Sequence, residues 1–251
     1  MCSTCGCGSD EVRVTDIDHQ HAHDHMHNHT HDHTHTDDRA HTIELEQAVL
    51  SRNDHLAEHN RTWLAGRNIT AINLMSSPGA GKTTLLERTV ALCDRVVSVI
   101  EGDQETLFDA QRIRAAGARA VQVNTGAGCH LDARMVQRAL DELQPEPESL
   151  VFIENVGNLV CPALFDLGEL TRVVVISVPE GDDKPLKYPH MFAAADLVVV
   201  NKTDLLPYVD FDVDRLTRDA RRLNPAVQVL PISARTGENL DSWLTWLVDK
   251  P

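Results

Sequence analysis

The sequence predicts an α/β fold, a mostly parallel sheet with helices on both faces, and three observations carry that expectation. From Ile69 onward, short apolar runs alternate with stretches of helical length. The runs ITAINLM, RVVSVIEG, AVQVN, LVFIEN, RVVVISV, ADLVVVN and VQVLPIS are apolar almost throughout rather than at every second position, as strands buried on both faces are. Most are separated by amphipathic segments, the alternation that brings successive strands parallel.

Taken in order, residues 1–41 hold almost no large apolar side chains and are rich in His, Asp and Thr. Such a segment cannot bury enough surface to offset its chain entropy and is expected to be disordered without metal. Between Ile43 and Leu64 the apolar positions Val49, Leu50, Leu56, Trp63 and Leu64 recur at helical spacing and Gly66 offers a stop, predicting a linking helix over 42–66. The remaining 67–251 form the α/β domain, with PEPE at 145–148 as a surface loop. At 251 residues the chain suits one domain with a tail.

The net charge of -15, from 38 acidic against 23 basic residues, argues against a nucleic-acid or anionic-membrane partner. No apolar run reaches the roughly 18 residues of a membrane span, and the N-terminus lacks the apolar stretch of a signal peptide, so the cytoplasm is expected. Reducing conditions there leave the six cysteines for metal binding, catalysis or packing. Cys93, within TTLLERTVALC, reads as packing.

Ser76-Ser77-Pro78-Gly79-Ala80-Gly81-Lys82-Thr83 lies between the first strand and a helix beginning near Thr84, the position of a phosphate-binding P-loop, and defines a three-layer P-loop NTPase. Gly79 and Gly81 let backbone N–H groups approach phosphate, Lys82 neutralises β and γ oxygens, and the Thr83 hydroxyl can ligate Mg²⁺. Ser77, Pro78, Ala80 and Thr84 complete the nucleotide contacts. Ser76 stands where the usual motif has its first glycine.

Guanine is predicted by Asn201-Lys202-Thr203-Asp204 at the C-terminal end of ADLVVV, the sheet edge where such folds bind ligands. The Asp204 carboxylate can accept from guanine N1–H and N2–H₂, whereas adenine would leave it unpaired. Asn201 braces the loop, Lys202 lies along the base, and Ser233-Ala234 can present backbone N–H to the guanine carbonyl oxygen. A P-loop small-molecule kinase is disfavoured, since it has no need of this motif.

Cys129, His130 and Cys161 follow strands at that same edge. A thiolate–imidazole set suits Ni²⁺ or Zn²⁺ better than Mg²⁺. Taken singly, His130 reads as polar surface and Cys161, before Pro162, as core; as a set they leave coordination to be completed by water or a twofold-related partner. Cys2, Cys5 and Cys7 can wrap a soft ion without folded support. Ten histidines between residues 19 and 41, interleaved with Asp, Asn and Thr, can bind several ions loosely, as a reservoir or capture arm.

The ordering SSPGAGKT, EGD, NTGAGCH, ENVGNLVCP, EGDDKPLKYP, NKTD and SAR resembles the HypB family of hydrogenase nickel-incorporation GTPases across 43–248. The resemblance implies a GTPase whose hydrolysis times nickel delivery in [NiFe]-hydrogenase maturation. It further implies GTP-dependent homodimerisation, with a HypA-type nickel chaperone and the hydrogenase large-subunit precursor as partners. By resemblance Asp103 serves magnesium or the attacking water, and Glu154 closes a Walker-B-like strand where many P-loop proteins carry Asp; Lys82 and Thr83 are expected to stabilise charge on the transferred phosphoryl group. Cys2-Ser3-Thr4-Cys5-Gly6-Cys7 matches the CxxCGC nickel site of some members, and Lys184 and Lys187 are candidates for reaching across a dimer. The alternatives are a nickel-storage protein with a structural nucleotide domain, or a urease-type nickel-insertion GTPase, whose usual metal motif is a compact Cys-Pro-His.

Overall fold

Strands that are apolar on both sides need a helical layer on each face, and the computed structural model supplies both. It describes residues 35–103, 108–126 and 128–250, with side chains from residue 47 except Phe108. Strands β1 (Thr70–Ser76), β2 (Val97–Asp103), β3 (Arg119–Asn124), β4 (Leu150–Glu154), β5 (Thr171–Ser177), β6 (Leu197–Asn201) and β7 (Gln228–Pro231) form one sheet in the order β3-β2-β4-β1-β5-β6-β7. Every pairing is parallel, so the expected fold class holds.

The helices are α1 (His35–Ala65), α2 (Lys82–Leu92), α3 (Phe108–Ala115), α4 (Ala133–Leu143), α5 (Lys184–Lys187), α6 (Pro189–Ala193), α7 (Val213–Leu223) and α8 (Leu240–Val248). The pleat sends alternate residues to opposite layers. Ile72, Leu74 and Phe152 meet Leu85 and Leu86 of α2, Ile113 of α3 and Trp243 of α8. Ala71, Val151 and Ile153 instead meet Leu64 of α1 and Val136 and Leu140 of α4, while Val174, Ile176 and Val200 meet Phe192 of α6 and Leu216 of α7. Trp243 is fully buried, and its indole N–H donates to Thr89 Oγ1 at 2.8 Å, so the largest core side chain leaves no donor unpaired. Cys93 packs against the same cluster, as expected.

The chain divides into units 1–49 and 50–251. Of the first, the described part is helical from His35, with Val49 exposed. The helix expected over 42–66 thus starts seven residues earlier, because extending a formed helix adds one hydrogen bond per residue without requiring an apolar face. Cys2, Cys5, Cys7 and the histidines of 19–33 lie outside the described residues.

Within the second unit, α1 is held by polar contacts. Asn53 donates to Asp166 O at 2.7 Å and accepts from Ala133 N at 2.9 Å; Asn60 donates to Ala133 O and Leu167 O at 2.8 and 3.0 Å. Arg61 makes a two-pronged pair with Asp166 at 2.7 and 2.8 Å. Gly168 permits this approach: its φ is +88°, and a Cβ there would lie 2.5 Å from Ala57 O and 2.6 Å from Asn60 Cβ. Gly168→Ala is therefore expected to destabilise by about 3 kcal/mol, through a left-handed backbone and a clash with helix backbone together. The shift in urea midpoint measures it; an unchanged midpoint would mean that α1 and this turn yield easily. Among the described residues no helix is long and apolar enough to cross a membrane.

Candidate functional site

β1 lies centrally, with β4 on one side and β5 on the other, and the loop leaving its C-terminal end runs directly into α2. That topology points the α2 N-terminus, with its unpaired N–H groups and dipole, at whatever occupies the loop. A cleft of about 580 Å³ opens there, lined among others by Gly79, Gly81, Lys82, Thr83, Thr84, Asp103, Glu154 and Lys202. Pro78 forms part of its wall, Ala80 is buried behind it, and Ser77 hydrogen-bonds Glu180.

Lys82 is buried at 8 % exposure, its ammonium 2.7 Å from Ser76 Oγ and 3.9 Å from Glu154 Oε1. The serine that replaces the motif's first glycine thus gives the lysine a neutral partner. Thr83 Oγ1 donates to Glu154 Oε1 at 3.1 Å. Glu101, beside Glu154 in the β2–β4 register, is also buried. Burial, then the neighbouring Glu154 charge, pushes the Glu101 carboxyl well above the usual carboxylate range, so it keeps its proton and donates to Glu154. Sequence reading singled out Asp103 and missed Glu101, although period-two alternation places both on one face of β2. Arg112 of α3 was missed too: held by Glu87 at 2.7 and 3.0 Å and by Thr84 Oγ1 at 3.3 Å, it adds a cation to the cleft wall.

Asn201 joins three loops. Its amide donates to Ala80 O at 2.9 Å, and its oxygen accepts from Lys202 N and Ala234 N at 2.8 and 3.0 Å. Lys202 reaches Gly79 O at 2.7 Å, tying the guanine-type motif to the phosphate loop. Asp204 accepts from Ser233 Oγ at 2.6 Å and from the exposed Arg235 guanidinium at 3.1–3.2 Å. The Ser233 bond, with Arg235, holds its carboxyl below the usual range, leaving an ionised acceptor. Ser233 N–H donates to Glu238 O and Ala234 N–H to Asn201 Oδ1, so these loops close on one another.

Beside the cleft, Cys129 and Cys161 sulfurs stand 3.0 Å apart, Cys129 Sγ is 3.7 Å from His130 Nδ1, and one ligand atom from each of the three falls within 4.8 Å of the others. Cys161 opens a short 3₁₀ turn, Cys161–Leu164, and the next residue, Phe165, stacks on the His130 ring at 3.9 Å. Burial lowers the His130 pKa against the opposing pull of Asp132, keeping the imidazole neutral and able to ligate. A second groove of about 310 Å³, lined by Ser77, Cys129, Asn158, Lys184 and Tyr188, shares Pro78, Val156 and Gly157 with the first. Lys184 lies 3.8 Å from Glu180, and Lys187 pairs with Asp183 at 2.6 Å on the surface.

A P-loop at the switch point of a parallel sheet, with a guanine-type loop tied to it, defines a nucleotide-binding protein, here with a cluster suited to a soft metal alongside. Residues 70–231 match the nucleotide-binding domain of the CobW/HypB/UreG family. Hydrogenase maturation factor HypB of Rhizobium leguminosarum bv. viciae is 58 % identical over 207 residues, 82 % of this chain and 69 % of that protein. Its Escherichia coli K12 counterpart is 57 % identical, covering 82 % and 71 %. The crystal structure of HypB from Helicobacter pylori in complex with nickel superposes with a TM-score of 0.77 at 39 % identity, covering 79 % of this chain and 94 % of that one. The chain belongs to the HypB hydrogenase maturation factors.

Proposed function

We propose that this chain hydrolyses GTP to GDP and phosphate and uses the nucleotide state to hold or release nickel at Cys129, His130 and Cys161 during [NiFe]-hydrogenase maturation. One observation carries the reading: the phosphate cleft and the thiol groove share the wall Pro78–Val156–Gly157, so a change on one side is felt mechanically on the other.

The Lys82 ammonium and the α2 N-terminus meet the negative charge that develops on the transferred phosphoryl oxygens. The donor set fits Mg²⁺, a hard cation: the Thr83 hydroxyl, the Glu154 carboxylate and Asp103 offer oxygen only, and Glu154 Oε2 is buried with no hydrogen-bond partner. Bound there, Mg²⁺ would neutralise charge on the β and γ oxygens. Asp103, which lines the same cleft, is proposed to orient the attacking water. Asp204 reads guanine once the base's N–H donors displace the exposed Arg235 guanidinium. Asp204→Asn is expected to weaken GDP binding about 10²-fold or more, since an amide nitrogen then faces the base's own donors. GDP titration measures it, and retained affinity would remove Asp204 from base recognition.

The thiolate–imidazole centre favours Ni²⁺ or Zn²⁺. Cys2, Cys5, Cys7 and the histidine-rich tail are proposed as capture ligands. A second copy of this chain, a HypA-type nickel chaperone and a hydrogenase large-subunit precursor are proposed as partners. The deciding experiment is nickel release with GTP, GDP and a non-hydrolysable analogue. Different rates are expected; equal release in all three would end the coupling idea.

A further inference from the structure

Granting nucleotide control of the metal centre as proposed above, we infer that Asn158 is the positioning residue that carries the state of the phosphate loop to the Cys129–His130 arm, working against Asn155 as a fixed pivot. β4 ends at Glu154, and the next four residues run between the two grooves. At Gly157 backbone meets backbone: a Cβ there would lie 3.0 Å from Pro78 Cα and 3.1 Å from Pro78 N. The third contact, Pro78 Cγ at 3.2 Å, belongs to a rigid ring, so a shift of the phosphate loop at Pro78 displaces Gly157 directly.

The two flanking asparagines differ in how they are held. Asn155 is buried at 1 % exposure; its oxygen accepts from Val156 N–H at 3.0 Å and Leu131 N–H at 3.2 Å. Its amide donates to Asn73 Oδ1 at 3.3 Å, and Asn73 in turn donates to the buried Glu169. That end is anchored in the sheet. Asn158 is only partly buried and bridges the two thiol-bearing segments: its amide donates to Cys129 O at 3.3 Å, and its oxygen accepts from Val160 N–H at 2.8 Å, next to Cys161. A push at Gly157 turns the segment about Asn155 and moves Asn158, which draws on Cys129 from one side and on Cys161 from the other. Both links are neutral amides, so the transmission needs no titrating group. Asn158 lines the thiol groove and not the nucleotide cleft.

The test uses the full chain with Asn158→Ala and Asn158→Asp. The aspartate keeps the acceptor for Val160 N–H and removes only the N–H that reaches Cys129; its added charge tightens cation binding alike in every nucleotide state and so cancels in a ratio. The readout is the nickel concentration that half-protects Cys129 and Cys161 from alkylation, mapped by peptide mass and taken with GDP and with a GTP analogue. In the wild type these two midpoints are expected to differ about fivefold or more, and in both variants to agree within about twofold. GDP affinity is expected to stay within about twofold of wild type in both variants. A wild-type difference that survives in both variants would overturn the role of Asn158 and leave the proposed function standing. Loss of protection in every nucleotide state of both variants would also overturn it, by making Asn158 a mere support of the ligands. No difference in the wild type would instead bring down the proposed function, and this inference with it.

Discussion

Lys82→Ala is expected to lower GTP turnover about 10²–10³-fold, the loss typical when a preorganised charge facing the transition state is removed. Two effects of one truncation combine. The first is direct, since the ammonium is gone from the phosphate loop. The second passes through Glu154, whose pKa is raised by burial and held back by Lys82, then by the Glu101 and Thr83 hydrogen bonds. Without the lysine, burial acts with less opposition and the carboxyl moves further toward its protonated form. A protonated Glu154 no longer offers the charge that an Mg²⁺ ion in this cleft requires. Phosphate release at saturating GTP measures the effect, and a melting curve establishes that the variant is folded. Turnover within about threefold of wild type would place the chemistry elsewhere.

The strands were legible because parallel strands buried on both faces leave continuous apolar runs, and each predicted run overlaps a strand to within a residue or two at most ends. The phosphate loop and NKxD were legible because their spacing and their position after strands are constrained by ligand geometry. The partners of those residues were less so. That Lys202 bonds Gly79 O, or that Ala234 N–H is taken by Asn201, follows from how three distant loops meet, and nothing local records it. Glu101 was within reach of the alternation argument, but one acid on a strand is not conspicuous until the register sets it beside Glu154. The cluster was legible in part: strand-end placement put Cys129, His130 and Cys161 at one sheet edge and the resemblance grouped them, but neither gave the approach of the two sulfurs. β3 and β4, which precede Cys129 and Cys161, are separated in the sheet by β2, and the loops that bring the sulfurs together carry no periodic signal. Asn155 and Asn158 are polar loop residues like many others until their bonds to Leu131 and Cys129 are seen.

Cys161→Ala is expected to cost more at the metal centre than the ~10–100-fold that loss of even an outer-shell partner costs. The centre has two thiols and one imidazole among the described residues, so removing Cys161 leaves a neighbouring Cys–His pair that cannot close around an ion alone. The loss also spreads, because Cys161 begins the turn whose following residue, Phe165, stacks on His130. The tail's own histidines and cysteines would mask the effect in a total metal count, so the measurement must be local. In the wild type, nickel is expected to slow alkylation of Cys129. In Cys161→Ala that protection should vanish at nickel concentrations that saturate the wild type, while Cys93, partly buried against the core cluster on the other face of the sheet, serves as the internal reference. GDP binding should persist, since Cys161 does not line the nucleotide cleft. Undiminished protection of Cys129 in the variant would show that the 3.0 Å approach of the two sulfurs is a packing contact, with the metal held by other groups.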